Sequence, residues 1–220
     1  MLFQNQLPFR RASLLLAASL IIFNSAPLHS GGVFAVAGTS GFDPNVAGKP
    51  ITWANGQLNY YTDQGNLSAV LDQNAANDFV ATAFQRWTTV PNANVSAVRS
   101  GSLNQDVNGG NVSSSADIQP TATNKPLAII YDQDGAGTDA LLGAGAGAST
   151  LCGTNAVFGG ADTYTTSAHF AHSLIVINGN CAQQTSDLPL LKYKLVRTIG
   201  QILGVGWSQL NDNVRTGTPS

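Results

Sequence analysis

Charge is scarce in this chain. Only 10% of its 220 residues are charged, against about 25% in an average soluble domain. The formal net charge is −2, so no basic field points to nucleic acid or an anionic membrane surface. Methionine occurs only as Met1, and the cysteines are limited to Cys152 and Cys181 with no C-x-x-C pair. That excludes a clustered-thiolate metal site. No apolar stretch reaches the roughly 20 residues that a permanent membrane span requires. There is no G-x-S-x-G nucleophile elbow. The Gly143–Gly147 run (GAGAG) is not followed by Lys-Ser/Thr, which argues against a phosphate loop.

Gly, Ala, Ser, Thr and Asn fill the deficit, giving the neutral, loop-rich surface common in exported proteins. The N-terminus agrees with export. Arg10 and Arg11 precede the apolar run Ala12–Phe23, and Ala35-Val36-Ala37 before Gly38 fits an A-x-A cleavage rule. Leu28-His29-Ser30 is a second candidate site. The expected organisation is a signal peptide over 1–37, an irregular lead-in over 38–50 and one domain over 51–220, secreted or periplasmic, with no membrane span after signal removal. An even cysteine count in an exported chain favours a Cys152–Cys181 disulfide, which closes a loop worth about 3–4 kcal/mol in the chain-entropy model.

Within the domain, Ile51–Thr62 reads as a strand interrupted at the turn-prone Asn55-Gly56. Leu67, Leu71, Ala75, Phe79, Ala83 and Trp87 then recur every four residues, one apolar face of a helix. Asn66 or Ser68 is placed to cap its start, and Pro91 lies beyond its end. Val95–Val98, Leu127–Tyr131 and Leu174–Asn178 read as strands. Residues 101–125 read as a long polar surface loop, and 132–162 are rich in Gly and Ala with little periodicity. A second helix begins near Ser186 or Asp187, tolerates Pro189 in its first turn, buries Leu191, Leu195, Ile199, Ile202 and Leu203, and ends near Gly204. The fold class is α+β (mixed α/β) with two main helices.

The last helix carries the most specific pattern: Arg197-Thr-Ile-Gly-Gln-Ile-Leu-Gly-Val-Gly-Trp-Ser208. It resembles the H-E-x-G-H-x-L-G-L-x-H-S motif of metzincin peptidases, the matrixin group especially. Gly200, Leu203, Gly204, Val205 and Ser208 match the framework. Trp53 and Tyr60, then a long helix ending in Ala83-Phe84-Gln85-Arg86-Trp87, are similar to the opening of a matrixin domain. The resemblance covers roughly residues 50–211 and implies a metzincin-like twisted sheet with a long helix packed on it and a second helix beneath.

The chemical positions of that motif are changed. Arg197 and Gln201 stand where the first two zinc-ligating His would be, Trp207 where the third would be, and Thr198 where the catalytic Glu would be. Three neutral imidazoles on zinc leave an open position for a water acidified to a pKa of about 7, and the Glu accepts its proton. Arginine has no lone pair to give and repels a dication. Threonine is no carboxylate base, and tryptophan offers only an N–H. The resemblance therefore implies a site without zinc, with Trp207 filling the space of the metal cluster. The Met-containing turn of the family is also missing, which implies a longer parent chain or a missing lower subdomain.

Two other groups invite a metal reading. His169 and His172 (HFAH) could share a metal on a helix but face opposite sides of a strand, and they sit just before an apolar strand-like run. Asp132, Asp134 and Asp139 alternate with glycines as at the start of a calcium loop, but residue 143 is Gly rather than the closing Glu. Asp-capped turns account for the same pattern, and calcium stays open as a cofactor. Three functions follow: a catalytically inactive, exported pseudopeptidase domain that binds a protein or peptide ligand or serves a structural role; a hydrolase with a rebuilt site; or an unrelated cell-surface or adhesion module.

Overall fold

The two uninterrupted apolar runs lie side by side at the middle of one sheet. The structure is a computed structural model that describes residues 32–118 and 123–206, all within one compact unit. Leu127–Asp132 forms β3, buried at every position, and Phe170–Asn178 forms β5. They pair in parallel from Leu127↔Ser173 to Asp132↔Asn178. Strands covered on both faces read as continuous apolar runs, which is why both are visible in the sequence. Gln57–Thr62 (β1) lies on the other side of β3, with Ser96–Ser102 (β2) beyond it. Val157–Tyr164 (β4) pairs antiparallel with β5. The sheet order is β2-β1-β3-β5-β4, and the architecture is mixed α+β.

Among the described residues four helices accompany it: Gln73–Thr88 (α1), Ala136–Leu142 (α2), Cys152–Asn155 (α3) and Leu188–Ile202 (α4). The side chains of β3 alternate between two cores, as period-two geometry requires. Leu127, Ile129 and Tyr131 face α1 and α4, together with Ile175 and Ile177 of β5. Ala128 and Ile130 face the other way with Val176, against Leu103, Val107, Val112 and Ile118.

Three expectations change. Helix α1 begins at Gln73, because the Asp72 carboxylate accepts from Ala75 N at 2.8 Å and the Asn66 side chain accepts from Gln73 N at 2.9 Å. Leu67 and Leu71 are buried in the turn before it, where Leu67 N donates to Leu71 O. The expected polar loop over 101–125 is instead a core-bearing segment: its four aliphatics cover one face of the sheet. The Gly/Ala-rich stretch 132–162 contains α2, α3 and most of β4.

Two indoles among the described residues tie the segment before β1 and helix α1 to the last helix. Trp53 Nε1 donates to Ile202 O at 2.7 Å and Trp87 Nε1 donates to Val196 O at 2.8 Å. A buried tryptophan needs one such acceptor. The Cys152–Cys181 disulfide is present, with a Cα–Cα distance of 5.5 Å. Residues 32–37, counted above with the export segment, pair with the domain: Val33 bridges Val205, and Phe34 N donates to Gly204 O.

A candidate binding cleft between helix α4 and edge strand β4

Helix α4 starts with Pro189 in its first turn and ends in a Schellman turn. Gly204 N donates to Gln201 O and Val205 N to Gly200 O, the paired bonds of that motif. Gly204 has φ +90, a left-handed conformation that disfavours any Cβ. Gly200 has another reason to be glycine, since a Cβ there would lie within 2.9 Å of Trp87 Cη2. The two glycines of the motif thus have packing roles that do not depend on any chemistry.

Three of the altered motif positions do share a site. Lys194, Arg197 and Gln201 follow each other at i, i+3 and i+7, one helix face. With the largely buried Thr198 they line a cleft of about 380 Å³ whose opposite wall is Val157, Phe158 and Gly159 of β4, closed by Gly153 and Thr154. Lys194 Nζ donates to Gly153 O at 2.6 Å, joining α4 to the segment before β4. Two of the nine lining residues are cationic and none is a carboxylate. Such a wall suits an anion and opposes a dication. Trp207 and Ser208 lie outside the described residues.

Strand β4 ends the sheet, and among the described residues no further strand pairs with its outer edge. An edge strand offers a row of N–H and C=O groups to an extended chain. The reading of the helix located one wall of this cleft. It missed β4 and Lys194; the only signal for β4 was Val157-Phe158 before two glycines.

The other candidate residues are dispersed. His172 in β5 approaches Asp162 of β4 at 2.6 Å through Nδ1 and donates from Nε2 to Thr123 O at 2.6 Å. His169 Nδ1 lies 3.2 Å from Thr52 O, so the two imidazoles serve different partners. Asp132 accepts from Gly137 N, Thr138 N and Thr138 Oγ1 at 2.8, 2.7 and 2.6 Å. Burial raises its carboxyl above the usual range, and those hydrogen bonds pull it back. Asp134 accepts from Gly109 N at 2.8 Å and Asp139 from Gly147 N at 2.6 Å. Each of the three carboxylates holds its own stretch of backbone. Among the described residues, no three His, Cys, Asp or Glu side chains converge as a metal group.

Comparison with protein-family models, with curated proteins and with solved structures finds no match. The site rests on its own geometry.

Proposed function

We propose that this chain is an exported, non-hydrolytic binding module of metzincin-like design, which holds an extended acidic peptide segment in the cleft between α4 and β4. The observation that carries the reading is the juxtaposition of three of the four altered motif positions, Arg197, Thr198 and Gln201, with a sheet edge that no further described strand pairs. A sheet with a long helix packed on it and a second helix bearing those positions supports the resemblance. The disulfide is compatible with an oxidising compartment.

The chemistry follows from the wall. An extended peptide adds a strand to the edge of β4, and main-chain hydrogen bonds supply affinity without regard to sequence. Lys194 and Arg197 then select acidic side chains by charge. Arg197, Thr198 and Gln201 supply neither a zinc ligand set nor a carboxylate base, so binding ends without cleavage.

Fluorescence anisotropy tests this with two labelled peptides, one alternating Val and Asp and one alternating Val and Lys. The acidic peptide is expected to bind and to lose about tenfold in affinity in Arg197→Glu, more at low salt than at high. Equal binding of both peptides, or binding unchanged in Arg197→Glu, sinks the proposal.

A further inference from the structure

The cleft between α4 and β4 is barred at one end. Lys194 Nζ reaches from α4 to Gly153 O at 2.6 Å, and this tie crosses the furrow between the helix and the segment that leads into β4. Arg197, Thr198 and Gln201, which follow Lys194 on α4, line the cleft with Val157, Phe158 and Gly159. Leu190 and Leu191, which precede Lys194, line a separate cavity of about 410 Å³ with Ser149, Cys152 and Ala156. The tie therefore divides the furrow in two.

Positive charge is gathered at the barred end. Lys194 is the tie itself, Arg197 lies one turn beyond it, and the next residue on that face, Gln201, is neutral. Thr198 brings a hydroxyl to the same wall. An ammonium carries three N–H donors, and Gly153 O takes one of them. Among the described residues no carboxylate lines the cleft to meet the others. An acidic segment that ran straight through would be matched by cations spread along the wall. Two cations gathered at a barrier match an anion at the end of a chain.

The inference rests on the peptide-binding reading and narrows its ligand. We propose that the segment held in the cleft is a chain terminus, whose free α-carboxylate sits against Lys194 and Arg197 at the Lys194–Gly153 tie. Strand β4 begins at Val157, just after the tie, and runs away from it to Tyr164. A segment that ends at the tie therefore pairs antiparallel with β4. Backbone pairing holds its body without regard to sequence, and the captured terminus sets its register. An α-carboxylate between an ammonium and a guanidinium receives charge-assisted hydrogen bonds, roughly twice as strong as neutral ones. A chain that continued past this point would have to break the tie or climb over it. The ligand class is thus the free C-terminal tail of an acidic protein or peptide, rather than an internal loop.

Fluorescence anisotropy on the full chain tests this with three N-terminally labelled peptides of alternating Val and Asp. One has a free C-terminus, one is amidated there, and one is amidated with an added N-terminal Asp that restores the net charge. The free form is expected to bind at least about tenfold tighter than either amidated form. Lys194→Met is expected to abolish that difference, whereas Lys194→Arg retains it. A free form no tighter than the amidated peptide of equal charge overturns the proposal; if all three still outbind a Val–Lys peptide, the acidic-peptide reading stands without it. A preference for the free form that survives in Lys194→Met also overturns the proposal. Absence of binding by all three peptides overturns both.

Discussion

The two faces of the central sheet are covered by different means. One face is packed by two long helices, whose buried residues recur at helical spacing: Phe79, Val80, Ala83 and Phe84 on α1, and Leu191, Leu195, Ile199 and Ile202 on α4. The other is covered mainly by an irregular segment that contributes Leu103, Val107, Val112 and Ile118, with α2 beside it. Helices satisfy their own backbone hydrogen bonds, so their core residues need only pack. The irregular segment must find partners for each N–H and C=O. It does so by side-chain stitching: Gly109 N to Asp134, Gln105 Nε2 to Asp117 O, Asn111 Nδ2 to Asp106 O. A helical cover thus depends on apolar volume, and an irregular cover on polar geometry as well.

Truncating one residue on each side sharpens that contrast. Leu195→Ala removes a fully buried side chain held between rigid elements, and a loss of about 4 kcal/mol is expected. Leu103→Ala removes the same group where the surrounding segment can settle inward, and the expected loss is about 2–3 kcal/mol. Urea unfolding of both variants measures the difference. Equal losses would mean that the irregular cover is as stiff as the helical one.

The disulfide probes the edge of the same sheet. Val157 pairs with Ile177 at one end of the β4–β5 hairpin, and Cys152 and Cys181 flank that end. Replacing both by Ala is expected to cost about 3 kcal/mol through the freed unfolded chain. Because the cleft wall belongs to β4, acidic-peptide binding should weaken as well. A variant that loses stability but keeps full peptide affinity would show that the β4 edge is held by its strand pairing alone.

The sequence revealed these regions unequally, for the same reason. Leu127–Tyr131, Leu174–Asn178 and the stripe of α4 were legible because continuous burial or helical spacing leaves a pattern. Leu103, Val107, Val112 and Ile118 follow no period, since a turn-rich segment points its side chains by local geometry, and they read as a polar loop. Strand β4 was hidden because Gly159 and Gly160 break any alternation, and its outer half is exposed. The start of α1 was misplaced because Leu67 and Leu71 continue the four-residue spacing by coincidence, while Asp72 supplies the cap. In the cleft, Arg197, Thr198 and Gln201 were legible from the motif they resemble. Lys194 and the β4 wall needed the fold.

The smallest effect tests the polar stitching directly. Asp117 Oδ2 accepts from Ser113 N, Ser113 Oγ and Ser114 N, each at 2.8 Å, and from Ser114 Oγ at 3.1 Å. The Ser113 backbone bond, followed by the Ser113 hydroxyl and the Ser114 donors, pulls the carboxyl down to about 2. A carboxyl depressed on folding contributes stability that is complete above its unfolded value of about 3.9 and fades as pH falls through the folded value. Wild-type stability should therefore decline between about pH 4 and about pH 2 by a small amount that Asp117→Asn lacks, since solvent screens a surface group. Comparing the pH dependence of the urea midpoint in the two proteins isolates this term. Parallel profiles would mean that the serine donors hold the segment as well without the charge, and that the irregular cover relies on the shape of its hydrogen bonds rather than on their ionic strength.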